Sequence, residues 1–463
     1  MNVTIDDVLQ LGDFDSAGID AVAGKALKGV STDSRTILPG QVFFALRGES
    51  FDGHEYIRQA LARGAILAVV DRRAPIEEPF RRSTVVVEDT TRALGRLANS
   101  YRKKFNVPIL AVAGSNGKTT TKEMIAAVLG TQLSVLRTKG NLNNHIGVPM
   151  TLFRLDGTHD VGVVEIGTNH PGELSYLCGV LEPTHGIITN VGHEHMEFFK
   201  DLDGVARGEG ELFAALGSTG IAYVNMDDPR VVAQAEVVKK QVTYGYSGVN
   251  VDVRGTFLSM NNEGCVTFSV AADGAAPFGI RLAIPGKHMM VNALAAAAVG
   301  LSHGISPENI QRALEQVTAA NKRMEVVTVR DVTILNDTYN ANPDSVVSAL
   351  ETLDSMECRG KKVVVLADML ELGESSVREH QRIGTTIKRM GFQHLLSFGP
   401  MARHIHEKAE AASGIHFETK ARLSEHLVRL VRPGDIVLVK GSRGMKMEEL
   451  VILLQKKLGE NVE

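Results

Sequence analysis

At 463 residues the chain is long enough for about three domains, each able to bury its own core. With 50 Lys and Arg against 54 Asp and Glu, a net charge of −4 and no basic block, the composition argues against nucleic acid or an anionic membrane as the main partner. Cys178, Cys265 and Cys358 lie far apart without a Cys-x-x-Cys pair, which argues against a disulfide framework or zinc knuckle. The acidic start has no secretory apolar region and no apolar run nears membrane-spanning length, so a soluble cytoplasmic monomer is expected.

The first part, 1–87, mixes short strands and loops. Residues 41–46 read as a strand between Pro39-Gly40 and Arg47-Gly48, 57–62 as a helix and 65–70 as a further strand, while 90–105 reads as a connecting helix with a basic end. The middle part, 88–317, opens with an apolar run at 107–113. It leads through Gly114-Ser115-Asn116-Gly117-Lys118-Thr119-Thr120 into a helix at 119–129, where Met124, Ile125, Val128 and Leu129 fall at helical spacing. Strand, glycine turn, Gly-Lys-Thr and helix make a phosphate-binding loop. Backbone N–H groups and the positive helix end meet the phosphates, the lysine reaches the β/γ oxygens and the threonine hydroxyl takes Mg²⁺. The strict eight-residue pattern fails because Val112 stands where its first glycine belongs, leaving a tighter Gly-x-x-Gly-Lys-Thr turn.

Two more apolar runs, 161–167 and 186–192, end near Glu165 and the His193-Glu194-His195 triplet. In an open parallel sheet the carboxyl ends of strands form the ligand crevice, so Lys118, Thr119, Glu165 and His195 are expected to converge. A buried carboxylate such as Glu165 needs a cation, either Mg²⁺ shared with Thr119 or an arginine. His195 is read as a ligand of a second cation and His193 is left unassigned. Glu209 and Glu211, taken alone, read as a solvated helix face. The last part, 318–463, alternates strands (363–367, 395–398, 436–439) with helices (376–390, 401–411, 445–458), a second doubly wound unit. Arg323 near the boundary can reach a γ-phosphate or be a linker charge. Lys440-Gly441-Ser442-Arg443 can grip a carboxylate or phosphate, or cap its strand. The expected architecture is three α/β domains: a mixed α/β domain at 1–87, a P-loop-type ATPase domain with a mostly parallel sheet at 88–317, and a Rossmann-like domain at 318–463.

These motifs together resemble the Mur ligases of bacterial cell-wall synthesis over nearly the whole chain. The phosphate loop, Glu165, the His195 region, His288 with Asn292, and Arg323 recur in that family's order. Its F-type branch is matched by Asn141-Leu142-Asn143-Asn144-His145, Asp337-Thr338-Tyr339-Asn340-Ala341-Asn342-Pro343, Asp368-Met369-Leu370-Glu371-Leu372-Gly373 and the Lys440 to Arg443 run. The resemblance implies an ATP-dependent amide ligase acting through an acyl phosphate. It would use two Mg²⁺ ions, with a UDP-N-acetylmuramoyl-tripeptide and D-alanyl-D-alanine as substrates. It assigns Gly114 to Thr120 to ATP, with Lys118 and Arg323 on the transferring phosphate, Asn292 at adenine and Asp337 at the ribose. Thr119, Glu165 and His195 go to the metals, Ser34, Arg35, Arg47 and Gly48 to the uridine diphosphate, and Asn143, Asn144, Thr168 and Asn169 to the muramoyl peptide. Two positions depart from the family. Met289 stands where an asparagine is common, and Glu209 where relatives carry a carbamylated lysine, so Glu209 is expected to supply that carboxylate to the second Mg²⁺. The rival readings are another Mur-type ligase, a phosphotransferase on the same loop, or a non-catalytic UDP-sugar-binding subunit.

Overall fold

The computed structural model of the chain describes residues 3–14, 22, 25, 27–48, 51–247, 250–319 and 322–460, so Asn321, beside the Arg323 motif, lies outside the described residues. Among the described residues the strands form sheets of five, nine and six members. By density of contact the chain divides into two compact units. One comprises Met1–Ala111, Leu133–Gly167 and Glu173–His185; the other comprises Val112–Gln132, Thr168–Gly172 and Gly186–Glu463.

In the first unit, β1 (Asp13–Phe14), β2 (Gly29–Ser31), β3 (Gln41–Phe44), β4 (Leu67–Asp71) and β5 (Thr84–Val87) form a sheet in the order β1-β5-β4-β3-β2. All neighbours are parallel except β1 and β5. Runs such as Leu67-Ala68-Val69-Val70, buried on both faces, suit parallel strands. The helix Ile57–Ala62 adds Ile57 and Ala60 to the core around Phe43 and Val70. The helix Thr90–Arg102 is capped by Asp89, whose side chain accepts from Arg92 N. Its basic end is solvated only in part: Lys103 and Lys104 are exposed, but Arg102 is not. Arg102 is buried and donates to the carbonyls of Leu181, Phe105 and Val107, so its charge satisfies chain ends instead of facing a partner. Here too β8 (Val161–Glu165), buried throughout, pairs in parallel with β7 (Val135–Arg137).

The phosphate-loop strand is β6 (Ile109–Ala113), and the helix after the loop is Lys118–Leu129. Beyond β9 (His185–Ile188), the second unit carries β10 (Ile221–Asn225), β11 (Lys240–Gly245) and β12 (Val253–Met260) in parallel register. The antiparallel strands β13 (Cys265–Ala272) and β14 (Ala275–Pro285) then continue the sheet. That continuation has no counterpart in the sequence reading. Its strands are half-solvated, with polar and apolar residues interleaved, and so lack the continuous apolar runs that identify buried parallel strands. The C-terminal sheet is built from β15 (Glu325–Val329), β16 (Val332–Asp337), β17 (Lys362–Ala367), β18 (His394–Phe398), β19 (Ser413–Phe417) and β20 (Ile436–Lys440), in the order β15-β16-β20-β17-β18-β19. Only β15 runs antiparallel to its neighbour. This is the Rossmann-like arrangement expected of the last part. Its register sets Asp337 directly beside Lys440 at the carboxyl ends of β16 and β20, where open sheets bind ligands.

Candidate functional site

The phosphate loop depends on two glycines in left-handed backbone. Gly114 has φ +112° and Gly117 φ +84°, a region costly for residues with a Cβ. A Cβ on Gly114 would also strike the Thr189 side chain, and one on Gly117 would lie 2.7 Å from Asn292 Oδ1. The loop is pinned to the segment after β9. Ser115 N donates to Asn190 O at 2.9 Å and Asn116 N to Asn190 Oδ1 at 3.0 Å. Thr189 Oγ1 and Asn190 Nδ2 donate to Asn116 O at 2.7 and 2.8 Å. The helix Lys118–Leu129 begins at Gly117 without a side-chain cap. Its first-turn N–H groups and positive end form an anion site. Lys118 Nζ donates to Gly114 O at 2.5 Å and Ser115 O at 3.2 Å, and stands 3.5 Å from Glu194 Oε2.

Glu209 is not part of a solvated helix face. It lies on the helix Leu202–Ala215, is 1 % exposed, and its Oε2 accepts from Gly114 N at 2.6 Å. Burial pushes its carboxyl well above the ordinary range; Lys118 opposes this and Glu194, within hydrogen-bonding reach, adds to it. Glu211 is half-buried and accepts from Gly172 N at 2.7 Å. Glu194 is a site residue that the sequence reading passed over between two histidines, and its Oε1 is buried without a hydrogen-bond partner. His195 adopts left-handed backbone at φ 49°, as does Glu371 at φ 63°. Such non-glycine conformations cost of order 1–3 kcal/mol and gather at functional sites. His195 Nδ1 lies 2.6 Å from Glu371 Oε2, an ion-pair distance not aligned as a hydrogen bond, and its Nε2 is 4.0 Å from Glu194 Oε2.

The C-terminal sheet contributes the rest of the second unit's groups. Lys440 is buried and its Nζ donates to Asp337 Oδ2 at 2.6 Å and Asn340 O at 2.9 Å. Asp337 Oδ1 accepts from Met324 N at 3.1 Å. The Arg323 guanidinium lies 3.5 Å from the centroid of the Tyr339 ring, so it rests on an aromatic face and is no mere linker charge. Asn292, on the helix His288–Ser302, is buried, and its Nδ2 reaches Met289 Sδ at 3.7 Å. Burial pushes His288 down to about 4, with Asp337 opposing and Lys440 assisting. Contacts also join this sheet's loops to the phosphate-loop side. Asn342 Nδ2 donates to Asn116 Oδ1 at 3.0 Å, and Asp344 Oδ2 accepts from His193 N at 2.7 Å and lies 2.9 Å from His193 Nδ1. His193, unassigned from sequence, is thus held by Asp344.

Other sequence-selected residues are held by local partners. Ser34 Oγ donates to Gln59 Oε1 at 2.9 Å, and the exposed Arg35 pairs with Asp33 at 2.8 Å. Arg47 pairs with Asp52 at 2.9 Å and Asp71 at 3.4 Å, while Gly48 N donates to Phe51 O at 2.9 Å. Asn143 Nδ2 donates to Glu165 Oε1 at 2.9 Å, so an amide partners that buried carboxylate. Asn144 Oδ1 accepts from Ile146 N and Gly147 N and starts the helix Gly147–Leu152. Thr168 Oγ1 donates to His170 O at 2.8 Å. Asn169 lines a cavity of about 140 Å³ in the second unit, together with His195, Glu194, Glu371, Asn342 and Arg443. Among the described residues no cluster of three or more His, Cys, Asp or Glu side chains is placed to hold a metal by itself, and no helix is long and apolar enough to cross a membrane.

Three family domains match this chain: Mur ligase family, catalytic domain, over residues 26–102; Mur ligase middle domain over 112–300; and Mur ligase, glutamate ligase domain, over 322–443. The UDP-N-acetylmuramoyl-tripeptide–D-alanyl-D-alanine ligase of Bacillus subtilis is 35 % identical over 430 residues, covering 92 % of each chain. The Escherichia coli ligase of the same name is 35 % identical over 463 residues, covering 98 % of this chain and 99 % of the other. A crystal structure of MurF from Acinetobacter baumannii superposes with a TM-score of 0.85 at 31 % identity, covering 96 % of this chain and 99 % of that one. The MurF ligase from Thermotoga maritima, solved in complex with ADP, gives 0.83 at 26 % identity over 95 % of this chain and 99 % of that one.

Proposed function

The chain belongs to the Mur ligase family, and on that premise we propose that it is the ATP-dependent ligase that joins D-alanyl-D-alanine to a UDP-N-acetylmuramoyl-tripeptide in cytoplasmic peptidoglycan precursor synthesis. The observation that carries this reading is the grouping, in one compact unit, of the Gly-x-x-Gly-Lys-Thr loop, Arg323 on Tyr339 and a small polar cavity beside Glu194 and His195. We retain the division into a UDP-muramoyl-binding domain at 1–87, an ATP-binding domain at 88–317 and a ligase domain at 318–463.

A terminal carboxylate oxygen of the tripeptide attacks the γ-phosphorus of ATP, ADP leaves, and an acyl phosphate forms. The dipeptide amine then attacks the acyl carbon, phosphate leaves with the bridging oxygen, and the nitrogen loses a proton as the amide forms. Both steps concentrate negative charge, so preformed cations do most of the work. Lys118 exchanges its contacts with the loop carbonyls for the β/γ oxygens, while Arg323 meets the γ-phosphate from the C-terminal sheet. Asn292 borders adenine and the Asp337–Lys440 pair fixes the ribose side. By the family resemblance the Thr119 hydroxyl, the Glu165 and Glu209 carboxylates and His195 would hold Mg²⁺; within the second unit the buried Glu194 Oε1, which has no hydrogen-bond partner, would offer a further acceptor. Such a metal would supply neutralising charge for the phosphates. Ser34, Arg35, Arg47 and Gly48 are assigned to the uridine diphosphate, and Asn143, Asn144, Thr168 and Asn169 to the muramoyl peptide. The test is ADP formation with a panel of UDP-muramoyl peptides, with and without D-alanyl-D-alanine. Dependence on both tripeptide and dipeptide supports the ligase. ADP formed without the dipeptide at the same rate supports the phosphotransferase.

A further inference from the structure

The cavity of about 140 Å³ is smaller than the ~300–1,000 Å³ of typical cofactor pockets and suits a small zwitterion. Its walls carry both signs of charge: Glu194 and Glu371 with His195, and the Arg443 guanidinium. The chain around Arg443 is fixed from several sides. Lys440 Nζ holds Asn340 O at 2.9 Å, Ser442 Oγ donates to Ala341 O at 3.1 Å and accepts from Leu370 N at 2.8 Å, and Arg443 N meets Asn340 Oδ1 at 3.3 Å. The Arg443 side chain is exposed. Glu448, which feels its charge, makes its own contact with Lys322 at 3.1 Å. What steadies the guanidinium is the Tyr339 ring, 5.1 Å from its centre, the same ring that carries Arg323 at 3.5 Å. A planar guanidinium on an aromatic face keeps its donors in a fixed fork suited to a carboxylate or phosphate.

We propose that Arg443 reads the free C-terminal carboxylate of the acceptor dipeptide, and that Tyr339 is a positioning residue whose one ring sets both Arg443 toward the dipeptide and Arg323 toward the nucleotide. The proposal rests on the ligase reading above and names the group that selects a dipeptide with a free carboxylate. The ring position explains the pairing: loss of one aromatic ring removes the support of both guanidiniums.

The experiment measures amide formation by the full chain with D-alanyl-D-alanine and with its C-terminal amide, D-alanyl-D-alaninamide. Arg443→Met is expected to raise KM for D-alanyl-D-alanine ~10- to 100-fold, the scale of a charge-assisted hydrogen bond, and to remove the wild type's preference for the free acid. KM for ATP and for the UDP-tripeptide stay as in the wild type. Tyr339→Leu is expected to raise KM for the dipeptide and also lower kcat, whereas Tyr339→Phe, which keeps the ring, restores both. A preserved preference for the free acid in Arg443→Met, or a rise in KM for ATP in its place, overturns the assignment; the second outcome makes Arg443 a phosphate ligand. Equal defects in Tyr339→Phe and Tyr339→Leu overturn the positioning role. Absence of product from the wild type with D-alanyl-D-alanine overturns the ligase reading itself, so the two failures are distinguishable.

Discussion

Replacing Glu209 separates two roles that its position allows. Its Oε2 is the acceptor for Gly114 N at 2.6 Å in a site 1 % exposed, at the first glycine of the phosphate loop. Glu209→Leu removes that acceptor and leaves a buried N–H without a partner, which costs ~1–3 kcal/mol. Glu209→Gln keeps a carbonyl for Gly114 and gives Glu194 an amide donor, so it imitates the protonated acid that burial favours. Stability should therefore fall in the leucine variant and stay within ~0.5 kcal/mol of wild type in the glutamine variant. Turnover should fall in both. If Glu209 supplies negative oxygen to Mg²⁺ where relatives use a carbamylated lysine, loss of that charge cuts kcat by ~10- to 100-fold, the usual cost of removing a supporting metal-site contact. Thermal unfolding gives the first quantity. ADP formation across a Mg²⁺ titration, with and without added bicarbonate, gives the second, and bicarbonate should have no effect because a glutamate needs no CO₂. A glutamine variant with wild-type turnover and Mg²⁺ dependence would show that Glu209 only anchors the loop. A leucine variant as stable as wild type would show that the hydrogen bond to Gly114 contributes nothing.

Lys118→Ala should lower kcat by ~10³ or more while circular dichroism and binding of the UDP-tripeptide stay unchanged, because the lysine acts on transferring phosphate; near wild-type turnover would remove the loop from the mechanism. His288 titrates near 4 in the folded chain against 6.5 as a free group. The unfolded chain thus binds a proton that the folded one refuses, and stability rises with pH between about 4 and 6.5, the difference corresponding to ~3 kcal/mol lost by pH 4. His288→Gln should flatten that limb of the melting-temperature profile, and an unaltered profile would count against the burial argument.

The strand–loop–helix around Lys118 was legible because its signals are local: an apolar run, two glycines and an amphipathic helix within some twenty residues. The same holds for the alternation that identified the C-terminal sheet. Glu209 was legible as a departure from relatives but not as a loop anchor, since its partner Gly114 is 95 residues away. The Asp337–Lys440 pair depends on the register of β16 with β20, which motif spacing does not encode. Glu194 was hidden by the histidines on either side, and Glu371 was quoted in a motif without a role because nothing local connects it to His195. The β13–β14 extension escaped because half-solvated strands carry no continuous apolar run.

The central claim is that ATP activates the tripeptide's carboxylate. It is tested most directly by labelling both oxygens of that terminal carboxylate with ¹⁸O and measuring the phosphate released during amide formation with D-alanyl-D-alanine. The account predicts that each phosphate carries one ¹⁸O atom, transferred through the acyl phosphate, and that the new amide keeps the other. Unlabelled phosphate accompanying amide formation, with the displaced ¹⁸O found in water, would contradict it and leave ATP hydrolysis uncoupled from the carboxyl group.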